Sequence, residues 1–451
     1  MKIVIIGSGK LGRTLAEQLI QEDHDITMVD ENASKLQYVV NRLDILGIHG
    51  NGATIPVLRE AGVDDADLVI AATAEDELNL LACLIAKRVG ARNTIARVRN
   101  PEYIDVMSLV KQDLGLSLSI NPELACAVEM SRVLKFPSMI TVDTFAKGRV
   151  EILQFEITED SPLAGMKLRD VSRFKKRILV CAVERNDSEI YIPSGDFQLR
   201  AGDHVSIVGD TSHIPRFLSR IGMMEDKIHN IIIVGGGRIG YYLAKQMIES
   251  DVDVTLVEHD LNRCHQLAEL LPEADIIHGD GTDQQVLIEI GVESADSFAS
   301  LTGFDEENIM MSLYVGSMSK AKRITKVTRI PFTKVIAQLN AGSVFFPVLI
   351  AAEHIIRYVR AMQNSYGSNV ETLCRIIDDK AEALEFYVNR NSPLIDIPLM
   401  DMELKENVLV GTINRGGRII IPGGSDVIQP GDTVIVVTTI KGLNALEDIL
   451  R

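Results

Sequence analysis

Residues 2–30 of the chain, KIVIIGSGKLGRTLAEQLIQEDHDITMVD, contain an apolar run, a glycine-rich turn, a helical pattern and a second apolar run. The uninterrupted apolar run that opens the stretch is typical of a buried parallel strand. The turn has the pattern G-x-G-x-x-G at Gly7, Gly9 and Gly12, and the second apolar run ends on Asp30, 18 residues later. This order of elements predicts the first βαβ unit of an open parallel sheet.

The same pattern returns in the second half of the chain, together with three other segments in the same order. The matching pairs are KIVIIGSGKLG (2–12) with NIIIVGGGRIG (230–240), AATAEDELN (71–79) with SLTGFDEEN (300–308), EILQFEITEDSPLAG (151–165) with EALEFYVNRNSPLID (382–396), and IPSGDFQLRAGDHVSIVG (192–209) with IPGGSDVIQPGDTVIVVT (421–438). Their constant order predicts a tandem duplication of a two-domain unit.

Each half combines a larger domain with a smaller one. Alternating strand and helix patterns predict a Rossmann-like, doubly wound α/β domain with a parallel sheet and helices on both faces. The strand-rich remainder, interrupted by Gly and Pro turns, predicts a small α+β domain. The predicted boundaries are 1–134 and 228–361 for the Rossmann-like domains, 149–225 and 370–451 for the small domains, and 135–148 for a linker.

One additional apolar helix follows each predicted Rossmann-like sheet. The first begins at Asn121-Pro122, with Asn121 as N-cap, and the second begins at Pro347. Both contain more apolar residues than a solvated helix needs. They either pack on their own sheet or pair with the equivalent helix of another lobe, and the sequence does not decide between these two arrangements.

The glycine turns predict a dinucleotide site in each half. Gly7 permits a tight turn, Gly9 lets the backbone approach a pyrophosphate, and Gly12 allows close packing of helix on strand. The helix N-terminus provides N–H donors and partial positive charge for the phosphates. Asp30 would accept hydrogen bonds from the ribose, which favours NAD(H) over NADP(H). The other candidates of this set are Ser8, Leu11, Gly235, Gly237, Ile239, Gly240 and Glu258.

Cationic and polar residues near the predicted strand ends extend both candidate sites. Lys10 and Arg238 occupy the same position at the helix starts, where a cation either reaches a terminal phosphate or is simply solvated. ATP and ADP are therefore alternative ligands. Arg97 and Arg99 alternate on the predicted fifth strand, so both are expected to face a phosphate at the carboxyl edge. The remaining candidates are Asn51, Thr73, Asp280, Thr302 and Lys326.

The composition argues against several classes of protein. With 46 Lys and Arg against 63 Asp and Glu, the net charge is −17, which disfavours electrostatic binding to nucleic acid or to an anionic membrane. Five scattered cysteines without a CxxC motif indicate neither a disulfide framework nor a thiolate metal site. We predict no catalytic residues, because no His, Lys or Tyr–Lys constellation is repeated beside the nucleotide fold. A binding fold without visible chemistry indicates a sensor.

With these residues the chain resembles the RCK (KTN) family of cytoplasmic regulators of potassium channels and transporters. The resemblance covers the whole chain and is carried by KIVIIGSGKLG with Asp30, by ARVRNPEY at 96–103 and by the two SPL…IP…GD modules. It implies nucleotide-binding N domains, small regulatory C domains and no enzymatic activity. It also implies a homo-oligomeric ring, here a tetramer, held at the cytoplasmic face of the membrane by a potassium transporter of the TrkH type.

By position, the resemblance assigns nucleotide contacts in both halves. They are Gly7, Gly9, Lys10, Gly12, Asp30, Thr73, Arg97 and Arg99, with Gly235, Gly237, Arg238, Gly240, Glu258, Thr302 and Lys326 as second-half equivalents. The second half departs from the pattern at Thr328, which replaces the second arginine, and at Phe304, which replaces an acid at position 75. We therefore expect the two sites to differ in affinity or in ligand.

Two other classes of function remain as alternatives. The first is an NAD-dependent oxidoreductase, which turnover of NADH would support. The second is a redox-sensing transcriptional regulator, which would need a basic helix-turn-helix that the sequence does not show.

Overall fold

The computed structural model describes residues 1–103, 113–135, 139–146, 149–171, 178–186, 189–223, 228–329, 336, 339–365, 370–377, 380–443 and 445–451. The chain forms two compact units, one from 1–135 with 228–356 and the other from 136–227 with 357–451. Each unit thus combines equivalent segments from both halves of the sequence. The exact boundaries of the four predicted domains stay predictions.

The first lobe of unit 1 is a parallel six-stranded sheet in the order β3-β2-β1-β4-β5-β6. Its strands are β1 (Lys2–Ile6), β2 (Asp25–Asp30), β3 (Leu46–His49), β4 (Leu68–Ala71), β5 (Asn93–Arg97) and β6 (Leu118–Ile120). Its helices are α1 (Lys10–Ile20), α2 (Ala33–Leu43), α3 (Ile55–Glu60), α4 (Asp76–Val89) and α5 (Pro122–Lys135). The predicted doubly wound fold is confirmed, and the apolar β1 lies buried at its centre.

The second lobe of unit 1 repeats this architecture, in the order β14-β13-β12-β15-β16-β17. With numbering continued along the chain, its strands are β12 (Asn230–Val234), β13 (Asp253–Glu258), β14 (Asp275–His278), β15 (Ser297–Ser300), β16 (Lys322–Lys326) and β17 (Ser343–Phe345). Its helices are α8 (Arg238–Ile248), α9 (Leu261–Leu270), α10 (Gln284–Glu289), α11 (Asp305–Met318) and α12 (Pro347–Ser365). The identical strand order in both lobes agrees with the predicted duplication.

Helix α5 of the first lobe packs against the second lobe. Its buried residues Ala127 and Met130 belong to one apolar cluster with Tyr242 and Leu243 of α8. Asn121 is the predicted N-cap of α5, and its Oδ1 accepts a hydrogen bond from the Leu124 N–H at 2.9 Å. Both expected arrangements of this helix were wrong, because it pairs with a glycine-turn helix of the other lobe.

The same asparagine connects the two lobes by hydrogen bonds. Asn121 Nδ2 donates to the hydroxyl of Tyr242 at 3.0 Å and to the carbonyl of Arg99 at 3.3 Å. Tyr242 is buried, and burial raises the pKa of its hydroxyl. One side chain therefore caps α5, holds the segment after β5 and contacts α8.

Unit 2 contains two five-stranded antiparallel sheets, in the orders β10-β9-β11-β8-β7 and β18-β19-β22-β20-β21. The first has β7 (Met139–Phe145), β8 (Val150–Glu156), β9 (Ile178–Arg185), β10 (Glu189–Tyr191) and β11 (His204–Asp210), with helices α6 (Leu168–Val171) and α7 (Ile214–Arg220). The second has β18 (Val370–Ile376), β19 (Ala381–Tyr387), β20 (Val408–Arg415), β21 (Arg418–Ile420) and β22 (Thr433–Thr438). β7 lies within the predicted linker 135–148, which is therefore partly a strand of the sheet.

The two sheets of unit 2 share an apolar cluster. Ile152, Cys181 and Val208 of the first sheet pack with Ala383 and Val437 of the second. The cluster is bordered by an ion pair in which Lys380 Nζ donates to Glu184 Oε1 at 2.7 Å. Among the residues described in both units, no helix combines the length and apolarity needed to cross a bilayer.

The bond between Asn121 and Tyr242 leads to a prediction about stability. Replacing Tyr242 by phenylalanine removes one buried hydrogen bond and should cost about 1 kcal/mol. For a unit of this size we expect the melting temperature to fall by about 2 °C. Calorimetry of Tyr242→Phe, compared with Tyr241→Phe, measures the effect. Tyr241 is a suitable control because it is also buried and its hydroxyl has no hydrogen bond to a described residue. Equal losses in both variants would contradict the prediction.

Candidate functional site

Each glycine turn begins where the central strand of its lobe ends. Gly7 has a φ of +106°, and a Cβ there would lie 2.9 Å from the carbonyl carbon of Ala72. A Cβ on Gly12 would collide with the carbonyl oxygen of Gly7. The same two constraints apply at Gly235 and Gly240. Glycine is therefore required for α1 and α8 to start directly at the strand ends.

Both helices start with a glycine N-cap that leaves space for a ligand. Gly9 provides no side-chain cap to α1, and a Cβ built on it would meet nothing within 4 Å. Gly237 has the same two properties at the start of α8. The first N–H groups of a helix lack intrahelical partners and carry partial positive charge. They are suited to bind phosphate oxygens.

The carboxylate at the end of β2 is attached to the first glycine turn. Asp30 Oδ2 accepts hydrogen bonds from the Ser8 N–H at 2.6 Å and from Ser8 Oγ at 2.8 Å. Its Oδ1 accepts from the Asn32 N–H at 2.7 Å. These bonds fix the carboxylate where a Rossmann fold meets the ribose hydroxyls. Because a carboxylate has about four acceptor positions, capacity for the ribose remains.

The second lobe makes the same attachment with different residues. Glu258 Oε2 accepts from the Gly236 N–H at 2.8 Å, and its Oε1 accepts from the Asp260 N–H at 2.9 Å. A Cβ on Gly236 would collide with Leu267 and lie 3.1 Å from Glu258 Oε2. The second lobe therefore combines the longer side chain of Glu258 with a glycine, Gly236, at the position of Ser8 in the first lobe.

A cavity lies beside each turn at the carboxyl edge of the sheet, with a volume of about 310 Å³ in the first lobe and about 480 Å³ in the second. The predicted residues that line the first cavity are Gly7, Gly9, Asp30, Thr73 and Arg97. Those that line the second are Gly235, Gly237, Glu258, Asp280, Thr302 and Lys326. The structure thus brings together a glycine turn, an acid, a threonine and a cation at each site.

Other predicted residues lie outside these two cavities. Ser8, Gly12 and Gly240 belong to the turns, whereas Lys10, Leu11, Arg238 and Ile239 line a different cavity between the lobes. Asn51 lies beside the first cavity, where its Oδ1 accepts from the Ala53 N–H at 2.8 Å. Its counterpart Asp280 lines the second cavity, and hydrogen bonds from the N–H and hydroxyl of Thr282 lower the pKa of its carboxyl.

Only one of the two arginines of the first lobe lies on the predicted strand. β5 ends at Arg97, and Arg99 lies in the irregular segment beyond it. The buried carboxylate of Asp76 holds this segment and accepts hydrogen bonds from the N–H groups of Arg99 and Asn100, both at 2.7 Å. Arg99 borders a separate cavity that also includes Arg238. Arg99 therefore lies beyond the strand on which it was predicted, and a phosphate contact of Arg99 stays a prediction.

The cavity between the lobes has a volume of about 450 Å³ and concentrates positive charge. Its charged lining residues are Lys10, Arg97, Arg238, Lys326 and Glu123. Burial lowers the pKa of Arg97 and of Lys326, and the nearby cation of Arg99 lowers that of Arg97 further. Excess cationic charge in a partly buried cavity attracts anions.

A buried amide in each lobe, which sequence analysis did not identify, positions the strand ends. Asn79 Oδ1 accepts from the N–H and hydroxyl of Thr73 at 2.8 and 2.7 Å, and its Nδ2 donates to the Arg97 carbonyl at 2.9 Å. Asn308 makes the same bonds to Thr302 and to the end of β16. The available signal was the asparagine that ends both AATAEDELN and SLTGFDEEN.

Removing either amide should loosen only its own lobe. Asn79→Ala leaves the Thr73 N–H and the Arg97 carbonyl without their buried partner, which should cost about 2–4 kcal/mol. We expect a lower melting temperature and weaker NADH binding at the first site, measured by calorimetry. Asn308→Ala is the matched variant for the second site. Unchanged stability in both variants would show that the amides do not position the strand ends.

Comparison with known proteins gives consistent results for sequence and fold. The TrkA-N domain matches residues 3–122 and 231–347, and the TrkA-C domain matches 152–222 and 383–451. The chain is 33% identical over 451 residues to the Trk system potassium uptake protein TrkA homolog of Archaeoglobus fulgidus, covering 100% of both chains. It is 31% identical over 449 residues to the Trk system potassium uptake protein TrkA of Haemophilus influenzae, covering 98% of this chain and 96% of that one.

Among solved structures, the fold is similar to that of the GsuK channel bound to NAD, with a TM-score of 0.65 and 17% identity over 97% of this chain and 76% of that one. Both domain types match twice and in alternation, as the predicted duplication requires. Together with the full-length relatives, these matches show that the chain belongs to the TrkA family.

Proposed function

We propose that this protein is a non-enzymatic regulatory subunit that binds NAD(H), or ATP or ADP, in both Rossmann-like lobes and thereby controls a membrane potassium transporter. The relatives' names identify them as potassium uptake proteins of Trk systems. The partner would be a transporter of the TrkH type. The protein would act at the cytoplasmic face of the membrane as a homo-oligomeric ring, expected to be a tetramer.

The open glycine N-cap beside a fixed carboxylate, present in both lobes, is the observation that carries this proposal. Pyrophosphate would bind the first N–H groups of α1 and α8, next to Gly9 and Gly237. The ribose would contact Asp30 in the first lobe and Glu258 in the second. Thr73, Arg97 and their counterparts would contact ribose or phosphate, with Lys10 and Arg238 near a terminal phosphate.

Regulation requires that the nucleotide bind two shapes of the assembly with different affinity, since equal affinity shifts no equilibrium. Coupling energies of this kind are typically about 1–3 kcal/mol, or about 5- to 150-fold. The basic cavity between the lobes offers a physical basis. Phosphate groups arriving from either side would neutralise the cations that line it, and would thereby change the electrostatic free energy of the pair of lobes.

Alanine at the glycine N-caps should remove one site at a time. The φ of Gly9 is −66° and its Cβ position is open, so Gly9→Ala should fold normally, with a stability change below about 1 kcal/mol. The added methyl group occupies the space that a phosphate needs, so we expect at least about a tenfold loss of affinity at the first site. Gly237→Ala is the matched variant for the second site.

Calorimetric titration with NADH, NAD, ATP and ADP checks this prediction. Two sites of wild-type affinity per chain in the wild type, one in each variant, and none in the double variant would support the proposal. Wild-type protein that binds none of the four ligands would contradict it. Turnover of NADH with an oxo-acid would instead favour the alternative of an NAD-dependent oxidoreductase.

Binding at the second site should weaken at high pH. Burial lowers the pKa of Lys326, so this ammonium loses its charge earlier on raising the pH than an exposed lysine does. A phosphate ligand is favoured by the charged form, and its affinity should therefore fall as pH rises through that lowered pKa. We expect the decline in Gly9→Ala protein titrated with ADP between pH 7 and pH 10. Lys326→Arg should remove the decline in affinity. If the decline persists in this variant, a different titrating group causes it.

A further inference from the structure

The two nucleotide cavities obtain apolar surface from different positions. In the first, the lining includes Leu78 and Glu75. In the second, the equivalent positions carry Glu307 and Phe304, so the apolar and acidic residues are exchanged. The apolar residue is thus on helix α4 in the first lobe. In the second lobe it is in the segment that precedes helix α11.

Phe304 is unusually exposed for its residue type. The residue is 64% exposed, and it is the only phenylalanine among the exposed large apolar residues that the structure describes. A lone exposed apolar residue is common on protein surfaces. This one, however, borders a cavity that also contains Gly237, Glu258 and Thr302. A ligand in that cavity would cover the ring.

The backbone that carries Phe304 is fixed. Its N–H donates to the Thr302 hydroxyl at 3.2 Å, and that hydroxyl also contacts the Phe304 carbonyl at 3.4 Å. Thr302 is in turn held by the buried Asn308. The ring therefore extends from a rigid turn, so covering it with a ligand requires little ordering of the chain.

The position of the ring relative to the rest of the site indicates what would cover it. The pyrophosphate belongs at the Gly237 N-cap and the ribose at Glu258. The base would then lie beyond the ribose, among the other residues that line the cavity, which include Asp280, Phe304 and Glu307. Bases stack on aromatic side chains, with an effect of alanine substitution of about 5- to 150-fold in affinity.

We propose that Phe304 stacks on the base of the nucleotide in the second site and makes that site selective for purines. The inference rests on the proposed nucleotide binding. The first site lacks an aromatic residue at the matching position, Glu75, so its affinity depends less on the base. A purine offers a larger ring surface than a pyrimidine, and the preference should therefore reside in the second site alone.

The test uses the absence of tryptophan from the chain. In the Gly9→Ala background, Phe304→Trp places the one tryptophan of the chain at the second site and retains an aromatic ring. ADP should change its emission and bind with an affinity close to that of the phenylalanine form. In the Gly237→Ala background, Glu75→Trp is the matched probe at the first site.

The decisive measurement is the affinity ratio of ADP to UDP at the second site, obtained by calorimetry in the Gly9→Ala background. We expect ADP to bind about tenfold more tightly than UDP, and Phe304→Ala to reduce this ratio towards one. Inorganic pyrophosphate should bind equally with and without the ring. Because Phe304 is exposed, the melting temperature of Phe304→Ala should not change.

The outcomes separate this inference from the proposed function. If Phe304→Ala changes neither the affinity for ADP nor the ratio of ADP to UDP affinity, the inference is overturned. The proposed nucleotide site would not be affected by that result. Loss of pyrophosphate binding together with ADP binding would show a structural effect of the substitution and would also overturn the inference. Failure of the Gly9→Ala protein to bind ADP at all would remove the second nucleotide site and the inference with it.

Discussion

The contact between a helix and the strand before it determines much of this structure. Residue 12 lies so close to the carbonyl oxygen of Gly7 that only glycine fits, and Gly240 stands in the same relation to Gly235. This close approach places the start of α1 at the end of β1, where its N-cap Gly9 lines the cavity. The acid at the end of the next strand then bonds to the turn itself. The positions of the helix start, the carboxylate and the cavity therefore depend on a residue without a side chain, Gly12 in the first lobe and Gly240 in the second.

The sequence predicted the features that local patterns control. Apolar runs, glycine spacing and the internal repeat were sufficient for the sheets, the duplication and most residues of the two cavities. What it missed depends on contacts between distant segments. Asp76 accepts a hydrogen bond from the N–H of Arg99 beyond the strand, and Asn79 makes buried hydrogen bonds to two strand ends. The partner of α5 and the strand β7 likewise depend on tertiary packing, which no local pattern encodes.

The two lobes show how one geometry is kept by different residues. In the first, a short acid is combined with a serine that donates from both N–H and hydroxyl. In the second, a longer acid is combined with a glycine whose added Cβ would meet Leu267. The bond from the backbone N–H to the acid is common to both lobes, and the bond from the Ser8 hydroxyl is additional in the first lobe.

The bond from Asn121 to Tyr242 is made once in the chain. The residues at the equivalent positions of the other halves are Phe346 and Thr14, and the phenylalanine side chain offers no hydrogen-bonding group. Two identical lobes related by a twofold axis would form such a bond twice or not at all. Fusing both lobes in one polypeptide removes that requirement, and it keeps the pair together at any dilution because the partner's effective concentration is set by the chain. As a result of gene duplication, the two lobes associate at any protein concentration. The residues that each lobe contributes to their contact can evolve independently.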